Sequence, residues 1–433
     1  MRKRRGFIIF GSLAITVVLS NSVSSHVQST NFSISYPTVV CPPSDSSVTS
    51  QTSVTSSSTQ FRKIKGKNST LQSILKLRYV SDGSAILLDQ PSITSITWQG
   101  VSGVWAGATL CRAPQSDQWF VGGSANVLSK GRIYLVNSGL SEALVDIALW
   151  NSKGPLPPKV FPVHQNSTLR IALDSIAAGS DRLVVRVTPR SGRVSSYLVE
   201  EKSKGLESLG GDIVNAVDSP AIDLVISGIP HQRTAGKGSS HIIRFLVPGT
   251  ADAHVRVDLI STDGIFAPVG LDGVDIAHGI VTDLVFNPTI ASTIFSLRIR
   301  SDQPIVAGVL TSLKVNSHTD MVWNAASPTL VPMTLAVRGL NPTFIFTGDS
   351  ISIAISSRMT SGKVMKNRLT GSGIAAWRVP DNVSSVDVSP SGSIIAGGAI
   401  ISSNSGVAAF PLVVGSELTR AAEPNADIAV INR

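Results

Sequence analysis

Two stretches of the chain decide its fold: Ser141-Glu-Ala-Leu-Val-Asp-Ile-Ala-Leu-Trp150 and, about 110 positions later, Ala251-Asp-Ala-His-Val-Arg-Val-Asp-Leu-Ile260. In both, Val, Ile and Leu occupy alternate positions, the other face carries Asp146 in the first stretch and Arg256 and Asp258 in the second, and a glycine follows at Gly154 and Gly264. Alternation with a period of two buries one face of a strand and leaves the other in solvent, and the glycine ends the strand in a turn. The repeat therefore predicts half-buried strands of antiparallel sheets.

The second half of each unit also repeats. Phe295, Leu297 and Ile299 alternate with polar residues before Ser301-Asp-Gln-Pro304, and an apolar run follows, which predicts a strand, a tight turn and a second strand. The 36 glycines and 23 prolines of the 433-residue chain disfavour long helices. A period of about 110 residues is too long for a propeller blade. It predicts an all-β protein of tandem immunoglobulin-like β-sandwich units.

The domain prediction divides the chain into five segments. A signal peptide at 1–25 and a Ser/Thr-rich linker with a basic segment at 26–78 precede β units at 79–231, 232–340 and 341–433. In the stretch 44–60, 12 of 17 residues are Ser or Thr, so this part has little apolar surface to bury and is expected to be a disordered linker.

The amino terminus predicts export. Arg2, Lys3, Arg4 and Arg5 precede the uncharged, mostly apolar run 7–19, which is typical of a secretory signal. A helix of that length is shorter than a bilayer, which favours removal, with anchoring by residues 7–19 as the alternative. The uncharged stretch 391–416 is interrupted by glycine, serine and proline, so we expect two buried strands around the turn 403–406 in place of a second membrane crossing. The expected location is secreted or extracytoplasmic, in the cell envelope.

The chain contains two cysteines, Cys41 and Cys111, separated by 70 residues. In an exported protein an even, minimal count predicts one disulfide, with two free thiols as the alternative. Two cysteines without clustered histidines do not complete a tetrahedral metal site, so no metal and no cofactor are expected.

A basic run follows the Ser/Thr segment. Arg62, Lys63, Lys65 and Lys67, with Lys76 and Arg78 further along, occur with no acidic residue between Asp45 and Asp82, in a chain of formal net charge +9. Such a cluster attracts anionic polymers or lipid headgroups, although a solvated strand face has the same composition. Nucleic acid is not an expected partner, because the run has few interleaved aromatic residues and export removes the usual partner.

The region after about residue 80 resembles a known family. The stretch Cys111-Arg-Ala-Pro-Gln-Ser-Asp-Gln-Trp-Phe-Val-Gly-Gly123, then Tyr134-Leu-Val-Asn-Ser-Gly139 and Gly210-Gly-Asp212, is similar to a family of large secreted actinobacterial proteins of unknown function. The resemblance implies export and a repeated β architecture. It supplies no catalytic residue.

Sequence motifs for catalysis are absent: no histidine pair has metal-ligand spacing, and there is no nucleophile elbow or phosphate-binding loop. Asp263, Asp272 and Asp275 could gather carboxylates at one loop for glycoside hydrolysis or Ca²⁺ binding, but Asp-Gly is first of all a turn former. Trp119 and Phe120 lie in a glycine-rich connection. They are the predicted aromatic binding surface, with core packing as the alternative.

These observations predict a non-enzymatic, exported structural or binding protein of the cell envelope. Its expected partner is an envelope polymer or an envelope protein, and it would meet the membrane only through an uncleaved signal segment. Two alternatives stay open. One is an envelope hydrolase that acts on polysaccharide through loop carboxylates, and the other is a membrane-anchored extracellular scaffold.

Overall fold

The repeated alternating stretches are strands. The computed structural model describes residues 38–55, 59–66, 70–74, 76–89, 93–232 and 239–415, and the two stretches form strands Ala143–Asn151 and Ala253–Ser261. Buried residues alternate with more exposed ones along most of both strands. Each strand ends in a hairpin at a glycine with positive φ, 124° at Gly154 and 129° at Gly264. The prediction of half-buried antiparallel strands is confirmed.

The described residues hold 32 strands and one short helix, α1 (Asp174–Ala177). The strands are β1 (Val39–Cys41), β2 (Thr49–Ser53), β3 (Gln60–Lys63), β4 (Leu71–Ser73), β5 (Arg78–Val80), β6 (Ile86–Asp89), β7 (Thr94–Val101), β8 (Trp105–Leu110), β9 (Gln118–Val121), β10 (Ser129–Asn137), β11 (Ala143–Asn151), β12 (Gly154–Pro155), β13 (Lys159–Val163), β14 (Ser167–Ala172), β15 (Val184–Pro189), β16 (Val194–Lys204), β17 (Glu207–Val214), β18 (Ala216–Val217), β19 (Ala221–Pro230), β20 (Ser240–Leu246), β21 (Ala253–Ser261), β22 (Gly264–Phe266), β23 (Asp272–Ile276), β24 (Thr282–Phe286), β25 (Ile294–Val315), β26 (His318–Ala325), β27 (Met333–Ala336), β28 (Thr343–Met359), β29 (Val364–Arg378), β30 (Val383–Pro390), β31 (Ala396–Ser402) and β32 (Val407–Pro411).

Strands β9–β18 form the first sandwich. One sheet has the order β14-β10-β16-β17, and the other has the order β12-β11-β15-β9-β18 with β13 beside β11. Alternate apolar residues of the two sheets, such as Leu135, Val145 and Val187, share one core. The all-β sandwich prediction is confirmed, whereas this strand order differs from the ABED and CFG sheets of an immunoglobulin domain.

Strands β19–β26 form the second sandwich, which repeats the pairing of the first. Its ladders join β24-β20-β25-β26 on one side and β23-β21-β25-β19 on the other. The predicted tight turn at residues 301–304 is wrong, because β25 is one continuous strand that pairs with β21 before this point and with β20 after it. Pro304 lies where the strand passes between the two ladders, a position that suits a residue without an amide proton.

Strands β27–β32 form the carboxyl-terminal sheet together with β2, β5, β7 and β8, in the order β32-β31-β28-β30-β27-β7-β2-β5, with β29 beside β28 and β8 beside β7. The early strand β7 runs parallel to β27 at Thr94 and Leu335. Ile96 packs in the same core as Phe344 and Val386. Strands β31 and β32 flank the turn at 403–406, as expected for the uncharged stretch.

The segment expected to be a disordered linker is folded where the structure describes it. Strand β2 pairs with β5 and β7, and its residues Ser50, Thr52 and Ser53 are buried. The prediction of disorder is wrong there, because it was based on the small amount of apolar surface and not on hydrogen bonds between buried polar groups. The buried hydroxyls are satisfied by hydrogen bonds, such as Thr52 Oγ1 to Thr97 Oγ1 at 2.7 Å and Ser53 Oγ to the carbonyl of Arg338 at 2.8 Å. The sheet of β1, β6, β3 and β4 packs against β2 and β5: Val39 and Phe61 share one apolar cluster with Val54, just after β2, and with Tyr79 on β5.

The domain limits stay a prediction. The described residues between 38 and 415 belong to one compact unit, within which strand pairing joins early and late parts of the chain. The predicted signal peptide at 1–25 and the alternative anchor at 7–19 lie outside the described residues. No helix in the described part of the chain has the length and apolar character needed to cross a membrane.

Candidate functional site

The aromatic pair predicted as a binding surface is buried. Trp119 is 3% exposed and Phe120 is 1% exposed. The indole of Trp119 stacks on Trp150 with ring centroids 5.4 Å apart, and the guanidinium of Arg186 lies over its ring at 4.9 Å. The prediction of an exposed aromatic surface is therefore wrong, and the core alternative describes both residues.

The basic segment is partly neutralised. Lys63 and Lys65 both donate to Oδ2 of Asp82, at 2.9 Å and 3.0 Å. The hydrogen bond from Lys63 is the main reason why the pKa of Asp82 lies well below its usual range. Arg62 is half-buried on β3, and Lys67 lies outside the described residues. The first acidic residue after the basic run thus folds back onto two of its lysines.

The disulfide is confirmed. Cys41 at the end of β1 is bonded to Cys111 directly after β8, and both residues are fully buried. The bond ties the amino-terminal sheet to the strands that complete the carboxyl-terminal sheet.

The loop carboxylates suggested for hydrolysis have individual partners. Asp272 and Asp275 belong to strand β23, where Asp275 accepts from His254 Nδ1 at 2.8 Å. Asp263 accepts the backbone N–H groups of Ala291 and Ser292 at 2.6 Å and 3.1 Å. Across the described ranges, no group of three or more His, Cys, Asp or Glu residues is placed to hold a metal ion.

A basic cleft is the strongest candidate site. It has a volume of about 970 Å³ and lies between the start of β5, the segment after β27, the end of β28 and the segment before β30. Four cationic side chains line it, Lys76, Arg78, Arg338 and Arg358, against the single carboxylate of Asp381. We call these five residues and the space between them the basic cleft. The sequence places two of the cations in the basic run and the other two more than 250 positions away.

The charges in the basic cleft are available for a ligand. None of its four cations forms an ion pair with a carboxylate of the described residues, although Arg338 donates to Asn382 Oδ1 at 3.4 Å. Asp381 instead accepts from Asn341 Nδ2 at 2.5 Å. Uncompensated arginines present planar, five-donor groups that match phosphate and carboxylate oxygens.

The backbone around the cleft adopts a conformation that few residues take. Asn341 and Asn382 have φ values of 43° and 64°, and Gly339 has a φ of 74°. A side chain at Gly339 would begin 3.0 Å from Nη1 of Arg78, so the glycine allows this guanidinium to approach the backbone. Asparagine and glycine adopt this left-handed conformation more readily than other residues do.

A second group of polar residues lies at the junction of the two sandwiches and the carboxyl-terminal sheet, and it is fully buried. Asp212 on β17 accepts the N–H of Trp323 on β26 at 2.6 Å. Asp320 on β26 accepts in return from Gly211 N at 3.3 Å and also from Val407 N at 2.9 Å. These carboxylates bind backbone amides from three parts of the fold, so they hold the parts together. The only sequence signal for them was the Gly-Gly-Asp segment at 210–212.

Glycines allow the strands at the junction to approach closely enough to form these hydrogen bonds. A Cβ at Gly210 would lie 2.5 Å from Met321 N, and one at Gly406 would collide with Asp320 Oδ2. Burial is the main cause that raises the pKa of Asp320 to about 7 and that of Asp212 well above its usual range, against the opposing effect of the backbone hydrogen bonds. Both side chains are 0% exposed and do not reach a ligand in solvent.

Comparison with known proteins places the chain in a family without giving it an activity. Among curated proteins there is no match. The chain is similar to an alpha-L-rhamnosidase of Streptomyces avermitilis complexed with L-rhamnose, at 9% identity and a TM-score of 0.14, covering 82% of this chain and 54% of that one. The chain thus spans about half the length of the rhamnosidase. It is also similar to a tetra-tandem repeat in the extending region of a large adhesion protein, at 9% identity and a TM-score of 0.10, covering 86% of this chain and 93% of that one.

Neither structural likeness is close enough to carry an argument about function. The family comparison is different in kind, since a model described as a family of unknown function, DUF5719, matches residues 91–368. The matched range spans both sandwiches and reaches into β29 of the carboxyl-terminal sheet. Because the match covers more than half of its length, the chain belongs to this family of unknown function, DUF5719.

Proposed function

We propose that this protein is an exported, non-enzymatic binding protein of the cell envelope, and that its basic cleft binds an anionic envelope polymer. The observation that carries the proposal is the open cleft of about 970 Å³ in which four cations face one carboxylate. Unpaired cations that converge on one cavity attract anionic groups over a long range and can bind them directly.

Two further observations support the location. The four cationic residues at 2–5 and the apolar run 7–19 have the pattern of an export signal. The buried Cys41–Cys111 disulfide is a bond that forms and persists mainly in oxidising compartments outside the cytoplasm. Sequencing the amino terminus of the exported protein tests this part. An intact segment 2–19 would show that the signal is not cleaved and would favour anchoring by residues 7–19.

The binding test compares the chain with a cleft variant, Arg78→Ala/Arg338→Ala, on immobilised purified anionic polymer from the cell envelope. Each cation near an anionic surface contributes about 1 kcal/mol. We therefore expect the cleft variant to bind about 30-fold more weakly than the wild type. Wild-type binding should also weaken as salt is raised, since Lys76, Arg78 and Arg358 are exposed.

A matched control removes two cations elsewhere. Lys153→Ala/Lys159→Ala takes away the same charge from the first sandwich, where both lysines are exposed and lie outside the cleft. Its binding should stay close to that of the wild type if the site is the cleft. Equal losses in both variants would show that only net charge matters and would reject the cleft. Release of shortened polymer during the incubation would favour the hydrolase alternative.

A further inference from the structure

The cationic surface does not end at the cleft. Strands β28 and β29 form a long antiparallel hairpin, in which Arg358 is opposite Val364, Ser356 is opposite Lys366 and Ala354 is opposite Arg368. Residues directly opposite each other, and residues two apart on one strand, share a face of a sheet. Arg358 lines the basic cleft, so Lys366 and Arg368 continue its face along the hairpin.

The three hairpin cations are regularly spaced. Each step of two residues along a strand is about 7 Å, which places the levels of Arg358, Lys366 and Arg368 at about 0, 7 and 14 Å. Lys366 and Arg368 are exposed and form no ion pair with a carboxylate of the described residues. Arg368 donates to the hydroxyls of Ser352 and Ser391 at 3.0 Å and 3.4 Å, which hold its guanidinium against the sheet while leaving its charge uncompensated.

Besides Asp381 in the cleft, a second described carboxylate lies beside this row of cations. Asp387 on β30 is opposite Ser356 and shares the face, but it lies on the side of β28 away from β29 and accepts from Thr334 Oγ1 at 2.7 Å. The unbalanced positive charge therefore runs along the β29 side of the hairpin. We call the row of Arg358, Lys366 and Arg368 the hairpin track.

We propose that the ligand of the basic cleft is a linear polyanion, which fills the cleft with one part of its chain and continues along the hairpin track with the next. This inference rests on the proposed function and adds to it the shape of the ligand and the direction in which it leaves the cleft. A small anion would use only the cleft cations. A chain with a charge at every repeat of about 7 Å, or at a fraction of that length, would meet each cation of the track in turn.

The test uses inorganic polyphosphate, for which both a short and a long form exist. Affinities for tripolyphosphate and for long-chain polyphosphate are measured for the full exported chain, the cleft variant Arg78→Ala/Arg338→Ala and a hairpin variant Lys366→Ala/Arg368→Ala. Circular dichroism and melting curves confirm that each variant is folded. A conservative variant, Lys366→Arg/Arg368→Lys, keeps the charges of the track.

We expect the wild type to prefer the long chain and the hairpin variant to lose about 30-fold in long-chain affinity, so that most of the preference disappears. The conservative variant should retain the preference. A long polymer offers many overlapping binding positions to any cationic site, so the decisive reading is the change between wild type and hairpin variant.

Two outcomes separate the inference from the proposed function. If the hairpin variant keeps the wild-type preference while the cleft variant loses binding to both anions, the track is wrong and the cleft remains the binding site. If the cleft variant binds both anions as tightly as the wild type does, the proposed function fails, and the inference fails with it.

Discussion

At the scale of single residues, the least expected feature is the placement of ionisable side chains in the interior. Asp320 is fully buried, and its two oxygens accept backbone N–H groups from Gly211, Met321 and Val407. Since each of these bonds replaces water that the amide would otherwise bind, removing the carboxylate leaves several buried donors without acceptors. The junction thus depends on an ionisable side chain that the alternating sequence pattern gives no reason to bury.

The stability of the chain should therefore depend on pH through Asp320. Its pKa is raised from 3.8 to about 7 in the folded chain, so between these values the folded state holds a proton that the unfolded state has released. The contribution of this group to the free energy of unfolding falls as the pH rises from 3.8 to 7 and stays low above it. Asp320→Asn removes this titration. The variant should destabilise the chain by about 3 kcal/mol, because the side-chain NH₂ group of asparagine would face backbone N–H donors that the oxygens of Asp320 accept in the wild type.

Urea unfolding of wild type and Asp320→Asn at a series of pH values measures both effects. We expect the stability difference between the two proteins to widen as the pH is lowered from about 8 to about 5. A difference that does not change over this range would show that Asp320 does not titrate there. A variant as stable as the wild type would contradict the role of its hydrogen bonds.

At the scale of elements, sequence periodicity predicts strands well and composition predicts order poorly. The alternation at 143–151 and 253–261 identifies β11 and β21 because packing of one face requires that pattern. Strand β2 was missed because its buried positions hold Ser50, Thr52 and Ser53, whose hydroxyls are satisfied only by partners distant in sequence. Sequence patterns also did not indicate that Arg338 and Arg358 join the basic cleft, because they lie more than 250 positions from Lys76 and Arg78.

The buried hydroxyl pair of β2 and β7 gives a direct test. Thr52→Val and Thr97→Val each keep the shape of the side chain but leave the remaining hydroxyl without its 2.7 Å partner, and each should cost about 1 kcal/mol. The double variant should cost less than the sum of the two, because both polar groups have been replaced. Unfolding free energies of the four proteins provide the cycle. Thr49→Val, at an exposed position of β2, is the control and should change stability by less than about 0.5 kcal/mol.

At the scale of the whole molecule, strands from the early and the late part of the described residues close the fold together. The two sandwiches follow each other in sequence, but the carboxyl-terminal sheet is completed by β7 and β8 from the start of the chain. Sequence alone reveals the repeat, since local periodicity marks each unit. It does not reveal the closure, because the parallel contact of Thr94 with Leu335 joins residues that no local pattern connects.

The disulfide ties an amino-terminal strand to one of the strands that complete this sheet. Cys41–Cys111 links residues separated by 70 positions and fastens the amino-terminal sheet to the segment that follows β8. Restricting a loop of this length in the unfolded chain stabilises the folded state by about 4 kcal/mol in the chain-entropy model. The variant Cys41→Ser/Cys111→Ser should lose about this amount, as seen in the midpoint of urea unfolding.

Because both sulfur atoms are buried, reduction of the native protein should be slow, and the double serine variant reports the loss more cleanly than dithiothreitol does. Thr97 provides a check on local disturbance, since its Oγ1 lies 3.3 Å from Cys111 Sγ and contacts the substituted position. If the loss arises from the loop, it should be the same in wild-type and Thr97→Val backgrounds. A loss that disappears in the Thr97→Val background would assign the effect to this contact instead of the closed loop.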